Sequence, residues 1–187
     1  MTLEQWTLLP EDDARELVRG ILVEEEVPSV IHEAVLAWLA REVGAWALLN
    51  GARIYGSGLK YRVADLTGRL PDATVYLRGS KRPPPRGLVS IAPSIAIEVV
   101  SPTPRDARRD RVEKLAEYAA FGVKWYWIVD PELRSFEILE LDDQATYRHV
   151  IGAVEGVIRP PGCEGLTLDV TAVFRELDEV IAEGEMT

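Results

Sequence analysis

The sequence predicts a mixed α/β or α+β fold, a central sheet with helices against it and extra antiparallel strands added to it. Three observations carry that expectation. Around residues 29–49 apolar positions recur at helical spacing. Several short segments rich in β-branched and aromatic residues are bounded by Gly, Pro and Asp. Residues 94–130 read strand, helix, strand with short links, which is a βαβ unit with a parallel pairing.

The elements follow in order. Residues 15–26, RELVRGILVEEE, read as two short strands about Arg19-Gly20. From Ser29 to about Leu49 the pattern is helical. At about 100° per residue, Val35, Leu36, Leu39, Val43, Trp46 and Leu49 fall on one stripe, and Ser29 or the turn at Pro28 starts the helix. ARIYG at 52–56, LKYRVA at 59–64 and ATVYL at 73–77 are strand-like. Residues 78–94 form a loop, because three consecutive prolines remove ladder donors. SIAIEVV at 94–100 is a compact apolar strand. A long helix follows: Thr103 caps it, Pro104 suits its first turn, Asp106 completes a capping box and Gly122 ends it. KWYWIVD at 124–130 is a strand rich in aromatic residues, and SFEILEL at 135–141 and TYRHVIGAV at 146–154 extend the sheet. The tail from 166 leads through a strand or turn into a final helix.

Composition bounds the function. The chain has 187 residues, 47% hydrophobic and 28% charged, enough for one well-buried domain over 1–187 and short for two. One cysteine, Cys163, excludes an internal disulfide and fits a reducing compartment. The opening segment is acidic, without the apolar core of a secretory signal, and the run at 34–40 is too short to cross a bilayer. The expectation is a cytoplasmic protein with no membrane partner. A formal net charge of −10 counts against broad, non-specific nucleic-acid binding, which needs a basic surface, but not against a local basic patch. No phosphate loop, nucleophile elbow, HExxH or paired-cysteine zinc pattern occurs.

The residues able to do chemistry are few. In IAIEVV the strand alternation places Ile95, Ile97 and Val99 on one face and Ala96, Glu98 and Val100 on the other. A carboxylate among apolar neighbours is costly unless paired, protonated or metal-bound. A structural ion pair with an arginine, or a strand end reaching solvent, would also account for it. Asp72 follows a proline at the start of another strand, where a plain turn residue is the alternative. Together, two carboxylates on adjacent strands can offer hard oxygens to Mg²⁺ or Mn²⁺. On the following helix Val112, Leu115, Ala116 and Ala119 make the expected buried stripe. Lys114 then lies on a flank with Asp110 and Tyr118, where a surface Asp110–Lys114 pair would contribute only a few tenths of a kcal/mol.

PDATVYL, PSIAIEVVSPT and RDRVEKLAEYAAFGVKWYWIVDP together resemble the Uma-type family of restriction-endonuclease-like proteins, over about residues 19–174. The resemblance implies the PD-(D/E)XK fold, a central mixed sheet with a helix on each side. It implies a Mg²⁺- or Mn²⁺-dependent endonuclease hydrolysing phosphodiester bonds in nucleic acid, DNA rather than RNA. Asp72 matches the motif aspartate and Glu98 the second acid, and the Val99 carbonyl would complete the metal ligands. The lysine usual two residues beyond the acid is absent, Val100 standing there, and Lys114 matches the lysine supplied from the next helix. The stretch from Ser101 to Lys114 is longer than the commonest family spacing, and Arg108 is a rival cation. His32 and Glu24 match auxiliary family positions; for His32 a buried, satisfied histidine is the alternative. Phosphate contacts are expected from Lys81, Arg82 and Arg86, or from Arg105, Arg108 and Arg109, unless these form a solvated face. His149 carries no functional expectation, and Cys163 reads as structural. The rival readings are an inactive binding or oligomerisation module, with an exposed aromatic strand at 124–130 and an unpaired sheet edge supporting a homodimer, and a hydrolase of small phosphoesters.

Overall fold

A computed structural model describes residues 1–10, 13–24, 27–102 and 108–186. The elements run α1 (Leu3–Thr7), β1 (Glu16–Val18), β2 (Ile21–Val23), α2 (Val30–Asn50), β3 (Arg53–Tyr55), β4 (Tyr61–Ala64), β5 (Thr67–Arg69), β6 (Ala73–Tyr76) and β7 (Ile95–Val99). A π-helical turn (Arg109–Glu113) continues into α3 (Lys114–Phe121). Then come β8 (Trp125–Asp130), β9 (Ser135–Leu141), β10 (Tyr147–Ala153), β11 (Val157–Ile158), β12 (Leu168–Asp169) and α4 (Val170–Glu185).

The central sheet has six strands in the order β10-β9-β8-β7-β6-β3. Only the β7–β8 pairing within it is parallel, so the expected βαβ unit sits at the middle of an otherwise antiparallel sheet. A second sheet, β2-β1-β5-β4, is built from the N-terminal hairpin and the hairpin after β3.

Both faces of β7 are covered, and the alternation sorts its side chains. Ile95, Ile97 and Val99 enter a core with Val35, Leu39 and Val43 of α2 and Val173, Phe174 and Leu177 of α4. Ala96 and Val100 enter the opposite core with Tyr61 and Val63 of β4 and Tyr118 of α3. A strand buried on both faces reads as an almost continuous apolar run. Glu98 belongs to the second face, the one that carries the π turn and α3.

Local signals set the helix ends. The Ser29 side chain accepts the His32 N–H to cap α2, and Gly51, at φ 70°, closes it in the left-handed region that favours glycine. Gly122, at φ 91°, does the same for α3 and turns the chain directly into β8.

Several expectations need correction. KWYWIVD is not exposed: β8 lies between β7 and β9, and Tyr126, Trp127, Ile128 and Val129 are buried, so that strand offers no face to a second copy. The buried side of α3 and its preceding turn is Asp110, Lys114, Tyr118 and Ala119, whereas Val112 and Ala116 are exposed. The polar flank wins because the opposing sheet face presents carboxylates that bond it, which offsets desolvation. In α2 the buried set is His32, Val35, Trp38, Leu39, Val43 and Ala47, and Leu49 in the last turn is exposed. Sequence reasoning did not find α1, β5 or β11. The expected cap Thr103, together with Pro104, Arg105 and Asp106, lies outside the described residues. Among the described residues no helix is long and apolar enough to cross a membrane.

Candidate active site

Pairing of β6 with β7 runs Ala73↔Ile97, Thr74↔Ala96 and Val75↔Ile95. One step further along that register sets Asp72 opposite Glu98, and directly opposed residues of an antiparallel pair share a face. Asp72 is held there by two bonds. Its Oδ2 accepts the Val99 N–H at 2.7 Å and stands 3.2 Å from His32 Nε2, which α2 delivers from its first turn.

Glu98 is 1% exposed and engaged on both oxygens. Lys114 Nζ donates to Oε2 at 2.9 Å, and the Tyr118 hydroxyl donates to Oε1 at 2.6 Å. Lys114 is shared, standing 3.0 Å from Asp110 Oδ1 and 4.0 Å from Glu16 Oε1. Asp72, Glu98, Val99, Asp110, Lys114 and His32 all line one cleft of about 200 Å³, together with Pro28 and the Ser57-Gly58 turn. The structure therefore brings the four side chains singled out in the sequence to one place.

A second ion cluster adjoins this cleft. Glu16, fully buried at the start of β1, accepts from Arg69 Nη1 at 2.5 Å and from the Leu70 N–H at 2.9 Å. Arg69 also forks onto Glu117 of α3, at 2.6 and 3.0 Å. Two opposed helix and strand surfaces are thus tied through one planar guanidinium. Glu16, Asp110 and Tyr118 were missed as site residues. For Glu16 the sequence carries no signal, because its partner Arg69 lies 53 residues away in a short strand without apolar alternation.

The electrostatics follow from burial. Burial pushes the Glu98 carboxyl well above its ordinary range, and Asp72 and Asp110 add to this against the pull of Lys114 and Tyr118. Burial raises the Asp110 carboxyl too, against Lys114. For Lys114 burial acts downward, but Glu98, Glu16 and Asp110 outweigh it and hold the ammonium well above its ordinary value. For His32 burial again acts downward, and Asp72 with Glu33 turns the balance upward. Lys114 stays cationic, and one ammonium faces several acids. The acids lining the cleft outnumber its basic side chains, which favours an added proton or cation.

Among the described residues no group of three or more His, Cys, Asp or Glu side chains is arranged to hold a metal ion by itself. What Asp72, Glu98 and the Val99 carbonyl offer is a short set of hard oxygens. Such a set fits Mg²⁺ or Mn²⁺, which keep several waters and take few protein ligands, and does not fit zinc.

Other expected residues lie elsewhere. Glu24 is exposed and does not line the cleft, because β2 turns it to solvent. Arg108 is exposed beside Val18 and Arg19 in a different groove, so it is no rival to Lys114. Arg82 donates to the Tyr76 and Gly51 carbonyls, a loop-fixing role that takes it from phosphate. Arg109 is buried, whereas Lys81 and Arg86 are exposed. His149 lies on the edge strand β10, 3.3 Å from Glu137, and Cys163 is buried in the core under α2 and α4.

A family model described as "Uma2: Putative restriction endonuclease" matches residues 2–171. Among curated proteins none matches. A crystal structure from Anabaena variabilis, described as a "putative nuclease belonging to DUF820", is similar in fold with a TM-score of 0.77. The two are 19% identical, over 95% of this chain and 99% of that one.

Proposed function

The chain belongs to the Uma2 restriction-endonuclease family, and from that premise we propose that it is a metal-dependent nuclease whose centre is the Asp72–Glu98–Lys114 cleft. The observation that carries the reading is the placement of Asp72 opposite Glu98, with Lys114 bonded to Glu98 and all three lining one cleft.

In this reading Asp72, Glu98 and the Val99 carbonyl hold Mg²⁺ or Mn²⁺. The ion, when bound, stabilises charge on the phosphate and lowers the pKa of a bound water. The chain's own groups do the rest. His32 and the Val99 N–H fix the rotamer of Asp72. An ammonium has three donors; Glu98 and Asp110 take two, and the third can meet a water or a phosphate oxygen in the cleft. That fixed positive charge stabilises negative charge developing on the phosphate. The proposed substrate is nucleic acid, DNA rather than RNA, a preference supported by the family's description alone.

A second reading, hydrolysis of small phosphoesters, is favoured by one observation. The net charge is −10, and in the cleft lining Asp13, Asp72, Glu98 and Asp110 face Lys114 as the one Lys or Arg among the described residues. A polyanion gains little from such a rim.

The test is cleavage of mixed DNA and RNA pools and of small phosphoesters with Mg²⁺ or Mn²⁺, for wild type, Asp72→Ala and Glu98→Ala. The expected result is metal-dependent cleavage of nucleic acid that falls by about 10²-fold or more in each variant, the size seen when a charge-stabilising group is lost. Metal binding without any cleavage would leave a binding module. Cleavage confined to small esters would select the second reading.

A further inference from the structure

Resting on the metal-dependent reading above, we propose that Tyr118 is a positioning residue: its phenol fixes the Glu98 carboxylate in the orientation from which a divalent cation is bound. Glu98 sits in the interior with two donors. One of them, Lys114, is divided between Glu98 at 2.9 Å and Asp110 at 3.0 Å, so it does not by itself select one orientation of Glu98. Tyr118 donates to the other oxygen at 2.6 Å, and among the described residues no other hydrogen bond engages its hydroxyl.

The phenol is itself well fixed. Tyr118 is 1% exposed, one helical turn beyond Lys114 on α3. Its ring meets Tyr126 of β8 edge-on, with centroids 5.2 Å apart and planes at 74°. The Tyr126 hydroxyl in turn donates to the Asp110 carbonyl at 2.9 Å, joining the strand next to Glu98 to the π turn before Lys114. Tyr118 does not line the cleft, so it acts through Glu98 and not on substrate.

Its chemistry suits that task. A second ammonium at this place would compete with a metal ion for the charge on Glu98. A neutral O–H orients one oxygen without cancelling the charge and leaves remaining lone pairs to the cation. Partners that orient a ligating carboxylate commonly change metal affinity by about 10–100-fold when lost.

The experiment compares wild type, Tyr118→Phe and Tyr76→Phe by Mn²⁺ titration calorimetry and by cleavage rate against Mn²⁺ concentration. Tyr118→Phe keeps the ring and removes the donor. It is expected to weaken Mn²⁺ binding about tenfold and to raise the half-saturating Mn²⁺ by the same factor, with the rate at saturating Mn²⁺ retained. Tyr76→Phe loses an equally buried phenol, whose hydroxyl donates to the Ile91 carbonyl and not to Glu98, and is expected to bind Mn²⁺ as wild type does. Equal affinity in Tyr118→Phe and wild type, or equal weakening in both variants, would overturn the proposal. Should Tyr118→Phe not fold, 3-fluorotyrosine placed at position 118 keeps the donor. Its fluorine resonance is then expected to move on Mg²⁺ addition, and an unmoved resonance overturns the proposal. Wild type that neither binds Mn²⁺ nor cleaves would defeat the metal-dependent reading itself, a different result from wild-type activity with no effect at Tyr118.

Discussion

Arg69 shows most directly how single residues govern this site. It is fully buried and bonds Glu16 and Glu117 at once, so its guanidinium satisfies one acid with no access to water and another partly covered. Breaking a buried pair by removing one partner costs about 3–5 kcal/mol, because the remaining charge is left uncompensated. Arg69→Met is therefore expected to lower the unfolding free energy, read from denaturant titration, by an amount in that range. Adding Glu16→Gln should recover part of the loss, and a variant as stable as wild type would show that the cluster is already solvated. Sequence reasoning reached Asp72, Glu98, Lys114 and His32 but not Glu16. The bond that explains Glu16 spans 53 residues, and nothing near Glu16 in the chain announces Arg69. For Lys114 the spacing from Asp110 was legible but its burial was not, since an i,i+4 pair looks the same on an exposed and a covered flank.

At the scale of elements, legibility followed length and pattern strength. The helix α2 has a serine cap, helical periodicity and a terminal glycine, and both ends were placed closely. The strands β7, β8 and β9 are dense in β-branched and aromatic residues and were likewise found. The strand β5, with the sequence TGR, carries no apolar alternation and is defined by its partners β1 and β4. Its Gly68 lies under the ring of Trp6, which is fully buried and bonds the Arg15 carbonyl through Nε1 at 2.7 Å. A Cβ at 68 would collide with that ring. Gly68→Ala is expected to destabilise by about 1–3 kcal/mol through overpacking, read as a lower melting temperature. An unchanged melting temperature would mean that α1 is not packed on the second sheet as described. The π turn at Arg109–Glu113 also escaped sequence reading. It runs directly into α3, so that turn and helix together deliver Asp110 and Lys114 to the cleft. Such turns often occur at functional sites.

For the whole molecule, the central sheet is the scaffold and the two helical faces differ in purpose. One face, under α2 and α4, is an apolar core that contains Cys163. Burial pushes the Cys163 thiol up to about 12, with Glu164 adding to the effect. The thiol is thus protonated and covered at neutral pH, and thiols react as thiolates. Alkylation of Cys163 at pH 8 is expected to be negligible in the folded protein and to rise in step with global unfolding in denaturant. Rapid labelling without denaturant would mean that this core opens locally. The other face, under α3, has an apolar cluster of its own around Tyr61, Val63 and Tyr126, and it also gathers the buried acids and their cations.

By itself the sequence determined the order of the main elements, the parallel β7–β8 unit, the alternation that turns Glu98 away from the α2 side, and the family to which those motifs point. These are properties of neighbouring residues, set by backbone periodicity and turn chemistry. Only the tertiary structure decided that β8 is central and covered, that the polar flank of α3 faces inward, and that Glu16, Arg69 and Glu117 brace the cleft. Each of those outcomes depends on desolvation balanced by partners distant in the chain, and that balance exists only once the strands and helices have come together.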